Sequence, residues 1–175
     1  MSMHYCEIKN CDIANGNGVR VTLFVSGCTN HCKGCFQPET WNFDYGEEFT
    51  TATQETLIKL SAPNYINGLT LLGGDPFEPD NQRALLPFVT AYKATYPQKT
   101  IWVYSGFTYE QMHTEGSYVR TEVTDKLLAL CDVLVDGRFV LEQKDISLRF
   151  RGSRNQRLID LNATRATGVI TAWTD

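Results

Sequence analysis

The chain has 175 residues, 42% of them hydrophobic and 21% charged, with a formal net charge of −4. That length suits a single domain with its own core, and the negative balance argues against a general nucleic-acid binder, which needs clustered Lys and Arg for phosphates. No run reaches the roughly 18 apolar residues of a membrane span, and the N-terminus lacks a signal-peptide layout, so no membrane association and a cytoplasmic location are expected.

Charge is uneven along the chain. Met1 to Asp136 holds nine basic and sixteen acidic residues, whereas Gly137 to Asp175 holds seven basic and four acidic. Cys6 and Cys11 precede Asn15-Gly16-Asn17-Gly18, a run that favours turns because Gly and Asn tolerate positive φ. Without nearby ligand partners, these two cysteines are expected as small, semi-buried side chains. From Val19 to Val25 the residues alternate and are rich in β-branched types, which predicts the first strand.

The strand runs into Ser26, Gly27 and a loop with Cys28, Cys32 and Cys35, three thiols within eight residues, followed by Phe36. Six cysteines in a reducing compartment argue for metal binding or catalysis over disulfides. Three thiolates on a tight loop suit zinc or an iron–sulfur cluster. The missing fourth cysteine points to a site with one open position, such as a cluster iron free to chelate an amino-acid-like ligand. A closed zinc module using His31 or Cys6 as the fourth ligand is the non-catalytic alternative.

Gln37 to Phe49, with aromatics at Trp41, Phe43, Tyr45 and Phe49, predicts a folded-back connection over the site. Thr51 and Gln54 have capping-box spacing, and Leu57, Ile58 and Leu60 give the helix that follows an apolar side. Leu69 to Leu72 predicts a second strand entering Gly73-Gly74-Asp75-Pro76. Paired glycines allow close backbone approach to a ligand, and the carboxylate can accept from an ammonium group. Asn81 is placed as the cap of a helix to about Tyr96, with Pro87 forcing a kink or a late start.

Thr100 to Tyr104 predicts a third strand ending at Ser105-Gly106. A helix over Thr121 to Leu130 and a fourth strand over Asp132 to Asp136, ending at Gly137-Arg138, complete the regular part. Alternating strands and helices are the signature of a parallel sheet, whose ligands gather at the C-terminal strand edge. Arg149, Arg151, Arg154 and Arg157 form a basic cluster in the tail, and Thr167 to Trp173 is read as an edge strand.

Cys28-x3-Cys32-x2-Cys35 followed by an aromatic residue, at the end of the first strand of such a chain, resembles the radical S-adenosylmethionine superfamily motif. Gly73-Gly74-Asp75-Pro76 resembles that superfamily's Gly-Gly-Glu-Pro element, with Asp for Glu. More narrowly, Asn15 to Arg20, Leu23 to Cys28, Thr40-Trp41, Ile101-Trp102, Val133 to Gly137 and Arg151-Gly152-Ser153-x-Asn155-Gln156 resemble the activating proteins of anaerobic (class III) ribonucleoside-triphosphate reductase. The resemblance extends from about Asn15 to Asp160 of a single 1–175 domain, leaving 1–14 and 161–175 outside. Asn17 stands where a Pro is associated with this group, which bears on loop stiffness.

The resemblance implies an α/β fold, an incomplete (β/α) barrel with parallel strands. It implies a [4Fe-4S] cluster on Cys28, Cys32 and Cys35, with S-adenosyl-L-methionine on the open iron. Its contacts would be backbone at Gly34, Cys35 and Phe36 for adenine, Gly73, Gly74 and Asp75 for the ammonium, Ser105 as a wall, and Asp136 and Arg138 for ribose or carboxylate. The implied activity is reductive cleavage of S-adenosylmethionine to a 5′-deoxyadenosyl radical that abstracts hydrogen from a reductase glycine, fed by a low-potential donor such as flavodoxin. Activation of another glycyl-radical enzyme of the pyruvate formate-lyase type is the nearest alternative.

Overall fold

In the computed structural model, which describes residues 2–175, seven strands join one sheet. They are β1 (His4–Asp12), β2 (Arg20–Val25), β3 (Glu47–Glu48), β4 (Gly68–Gly73), β5 (Thr100–Ser105), β6 (Val133–Asp136) and β7 (Arg157–Asp160), ordered β3-β1-β2-β4-β5-β6-β7. The four strands read from alternation are β2, β4, β5 and β6, and they lie side by side in parallel, in sequence order. The sheet is open and mixed, because β1 lies antiparallel to β2, β3 to β1, and β7 to β6. β1 escaped the sequence reading because its side chains are mostly exposed or half-buried, with no clean two-residue period.

Period two along β2 and its neighbours separates the faces. Val21, Leu23, Val25, Leu69, Leu71, Ile101, Val103 and Leu134 share one core with residues of α1 (Thr51–Leu60), α2 (Pro79–Thr95) and α4 (Thr124–Leu130). Each such side chain contributes roughly 1.5–3 kcal/mol on burial, so this face fixes the strand ends in space. The opposite face carries Trp102, Val133 and Val135, packed with Tyr104, Phe150, Leu158 and Trp173. Chain between β6 and β7 crosses this second face: Tyr104 Oη donates to the Phe150 carbonyl at 2.7 Å, and the Trp102 and Phe150 rings lie 5.2 Å apart. A cavity is left between sheet and crossing segment. Near the start of the parallel strands Arg20 is buried, spending its donors on Thr70, Thr100 and the carbonyls of Asn17, Leu69 and Thr100.

Several local expectations are corrected. The capping box of α1 is Thr50 with Thr53, one residue earlier than the Thr51–Gln54 spacing suggested. α2 begins at Pro79, before Asn81, and continues through Pro87. Proline at the first helical position needs no N–H partner, and Asn81 is buried inside the first turn, where its amide donates to the Ser26 and Asp75 carbonyls at 3.0 Å. Thr167 to Trp173 is no strand: α3 (Tyr109–Met112) is followed in turn by α4 and by α5 (Leu161–Thr167), which ends at left-handed Gly168, and a single bridge joins Ile159 to Ala172. Cys6 is half-buried as read, but Cys11 is exposed.

Candidate metal centre and cofactor cavity

β2 delivers the chain to the C-terminal edge of the parallel strands, where Gly27 turns at φ +101°. A side chain at Gly27 would meet the Phe43 ring at 2.3 Å, so the segment after the loop packs directly on its entry. Gly27 N–H donates to the Thr40 carbonyl at 2.7 Å, and the Trp41 indole stacks on His31 at 4.4 Å. The Gln37–Phe49 connection therefore covers the loop as its aromatics suggested. Within the loop, Cys35 N–H closes a turn on the Cys32 carbonyl at 3.1 Å.

Cys28, Cys32 and Cys35 line one cavity of about 490 Å³, a size suited to a small organic ligand. Phe36, Gly73, Gly74, Asp75 and Ser105 line the same cavity; Asp136 and Arg138 do not, lining instead a neighbouring pocket that shares Asn30, Gly106 and Gly137. Gly34 lies outside both linings, with Leu141 and Phe139 over its α-carbon. Burial, and after it the Asp75 carboxylate, pushes the Cys28 thiol up to about 11, and burial also raises Cys32. The metal-free Cys28 and Cys32 thiols stay protonated near neutrality, so metal binding there must release protons. Among the described residues, no three His, Cys, Asp or Glu side chains close around a point as ligands of one ion do. A cluster places each thiolate on a different iron and asks for a wider spacing, so soft donors on one cavity wall fit it better than a tetrahedral zinc site.

Asp75 organises the strand ends. It is 1% exposed, and its oxygens accept from Phe77 N–H at 2.9 Å, Ser105 Oγ at 2.8 Å, Gly106 N–H at 2.8 Å and Asn30 Nδ2 at 3.0 Å. One carboxylate thus ties β4, β5 and the cysteine loop together, and burial pushes its pKa up to about 7. The two glycines before it make room for the protein's own backbone: a Cβ on Gly73 would lie 2.5 Å from the Val25 carbonyl oxygen, and one on Gly74 2.6 Å from that of Gly27.

Asp136 is buried against Arg157, which also pairs with Glu110. Arg138 approaches Asn30 Oδ1 at 3.4 Å. Of the other tail arginines, Arg149 pairs with Asp175, Arg154 is exposed, and Arg151 donates to the Gln156 carbonyl while lining the cysteine cavity. Sequence reasoning missed two residues that hold the loop. Asn30 spans Cys28 Sγ at 3.7 Å, Asp75 and Arg138. Glu78 reaches Thr29. The available signal was a second acid close behind Gly73-Gly74-Asp75.

Residues 14–159 match the family described as a 4Fe-4S single cluster domain. The chain is 41% identical over 156 residues to the anaerobic ribonucleoside-triphosphate reductase-activating protein of Haemophilus influenzae, a match covering 88% of this chain and 96% of that one. To the protein of the same name from Escherichia coli K12 it is 40% identical, with the same coverage. To that of Enterobacteria phage T4 it is 38% identical over 158 residues, covering 89% of this chain and 93% of the relative.

Proposed function

The chain belongs to the family of anaerobic ribonucleoside-triphosphate reductase-activating proteins, and from that premise we propose that it installs a glycyl radical on that reductase, using S-adenosylmethionine. The observation that carries the reading is the placement of Cys28, Cys32 and Cys35 on one wall of a cavity at the C-terminal edge of parallel strands. Bound there, a [4Fe-4S] cluster would supply the one electron that splits S-adenosylmethionine into methionine and a 5′-deoxyadenosyl radical able to take hydrogen from a reductase glycine.

The chain's own residues bind, orient and exclude. The three thiols, deprotonated, hold the cluster and leave one iron without a protein thiolate. Backbone at Cys35 and Phe36, which line the cavity, would flank the adenine, whereas Gly34 is turned away from it. Gly73 and Gly74 present backbone to the methionine ammonium. Asp75, whose acceptor positions are already filled, supplies a buried acid behind those glycines. Ser105 closes the strand-end wall, and Arg138 would reach the ligand from the adjoining pocket, while Asp136 there holds Arg157. We read the open sheet as an incomplete (β/α) barrel whose unclosed side, between Phe36 and Ile146, admits the glycine-bearing segment. A low-potential donor such as flavodoxin, in the cytoplasm, completes the assignment; among the described residues no helix is long and apolar enough to cross a membrane.

The test is anaerobic reconstitution with iron and sulfide, followed by electron paramagnetic resonance of the anaerobic reductase and, separately, of pyruvate formate-lyase. A glycyl signal on the reductase alone is expected. A colourless protein that holds one zinc and no iron would sink the proposal.

A further inference from the structure

Glu78 is fully buried at the start of α2, in the helix-capping position, yet its side chain caps nothing. Its Oε1 accepts from both the backbone N–H and the hydroxyl of Thr29, each at 2.6 Å, and its Oε2 accepts from Tyr118 Oη at 2.6 Å. None of the three donors is a cation. Thr29 is the residue after Cys28, whereas Tyr118 is 58% exposed on the connection between α3 and α4, its ring 5.8 Å from Phe107. Burying a carboxylate among neutral donors alone carries a desolvation cost that no cation offsets. A helix start has cheaper caps available, such as Ser or Thr. The charge is therefore better explained by what lies beside it.

We propose that Glu78 is a positioning residue for the cysteine loop: it fixes Thr29 from behind, links that loop to Tyr118 at the surface, and lowers the reduction potential of the bound cluster. The inference rests on the cluster reading above. Fixing Thr29 through both its amide and its hydroxyl leaves the peptide after Cys28 one orientation. Asp75 holds the next residue, Asn30, so two carboxylates from the Gly73–Glu78 segment brace consecutive positions of the loop. The electrostatic part has a definite sign. A fixed negative charge disfavours adding an electron nearby, so removing it raises the potential. For two unit charges at an effective dielectric near 20, a separation of about 10 Å corresponds to about a tenfold change in the reduction equilibrium, which sets the scale of the expected effect.

Redox titration of the reconstituted protein, followed by electron paramagnetic resonance, tests this. Glu78→Gln keeps an acceptor for Thr29 and removes the charge, so iron content should hold while the potential rises by about 59 mV, the one-electron equivalent of tenfold. Tyr118→Phe removes a donor from the carboxylate and should shift the potential the other way. Glu122→Gln, which removes an exposed acid paired with Arg83, should leave it in place. An unchanged potential in Glu78→Gln, or an equal rise in Glu122→Gln, overturns the proposal. Should Glu78→Gln fail to load iron, Tyr118→Phe decides, and an unshifted potential there overturns it.

Amide exchange at Thr29 in metal-free protein separates this inference from the cluster reading. Glu78→Ala should speed exchange at least tenfold. If the wild type takes up no iron but Thr29 still loses protection, the functional reading falls and the strut stands; unchanged protection removes the strut.

Discussion

Replacing Asp75 by Ala probes the junction on which the site is built. The substitution strips acceptors from the Phe77 and Gly106 N–H groups, from Ser105 Oγ and from Asn30. The two backbone donors cannot turn away, and each buried donor left without a partner costs about 1–3 kcal/mol, so the loss is about 2–6 kcal/mol before any compensation. The compensation is electrostatic. Burial raises the Asp75 pKa to about 7, against about 3.9 in an unfolded chain. Between these values the folded state retains a proton that the unfolded state has released. Stability then falls as pH rises, by up to about 1.4 kcal/mol per unit, and levels off above about 7. The variant lacks this penalty, so Asp75→Ala should be most costly near pH 4.5 and lose up to about 3 kcal/mol of that cost by pH 7. Urea unfolding of the metal-free protein at the two pH values measures the difference. A cost that grows with pH, or one below about 1 kcal/mol at pH 4.5, would refute the reasoning.

Cys32→Ala should abolish iron uptake and S-adenosylmethionine cleavage, while Cys131→Ala, a change at a fully buried core position away from the cavity, should keep both and cost roughly 1 kcal/mol in denaturation. Gly74→Ala drives a Cβ to 2.6 Å from the Gly27 carbonyl oxygen, so reconstituted protein should show a lower melting temperature and less than half the wild-type iron. Ile146 lines the cavity's open side and is 93% exposed. Ile146→Asp should leave cleavage of S-adenosylmethionine intact and reduce glycyl-radical formation on the reductase about tenfold; equal losses in both assays would remove Ile146 from the docking side.

The four parallel strands were legible because each buries both faces or alternates cleanly, as Val21, Leu23 and Val25 do toward the helices. The antiparallel additions were not, because β1 and β3 lie toward one edge with largely exposed side chains, and β7 is four residues long. Cys28, Cys32 and Cys35 were legible from spacing alone, since few chemistries need three thiols in one turn of chain. The braces behind them were not. Asp75 was read as a ligand contact because an exposed acid and a buried one look alike in sequence, and only packing shows that four donors already meet it. Glu78 was hidden for the same reason.

The same distinction bears on how the site works. A loop holding three thiols has to keep them aimed at one point while the strand ends around it are largely glycine, and glycine fixes little by itself. Here the rigidity comes from two acids three residues apart in the turn before α2, each reaching a different residue of the loop. Both are buried, so any loosening of the β4–α2 junction would be felt at Thr29 and Asn30 together. Disorder at the thiols should therefore accompany melting of the first turn of α2, and hydrogen exchange at Thr29, Asn30 and Asn81 should rise in parallel when either acid is removed. Independent responses at the three amides would mean that the loop is held from its aromatic side, by Trp41 and Phe43, instead.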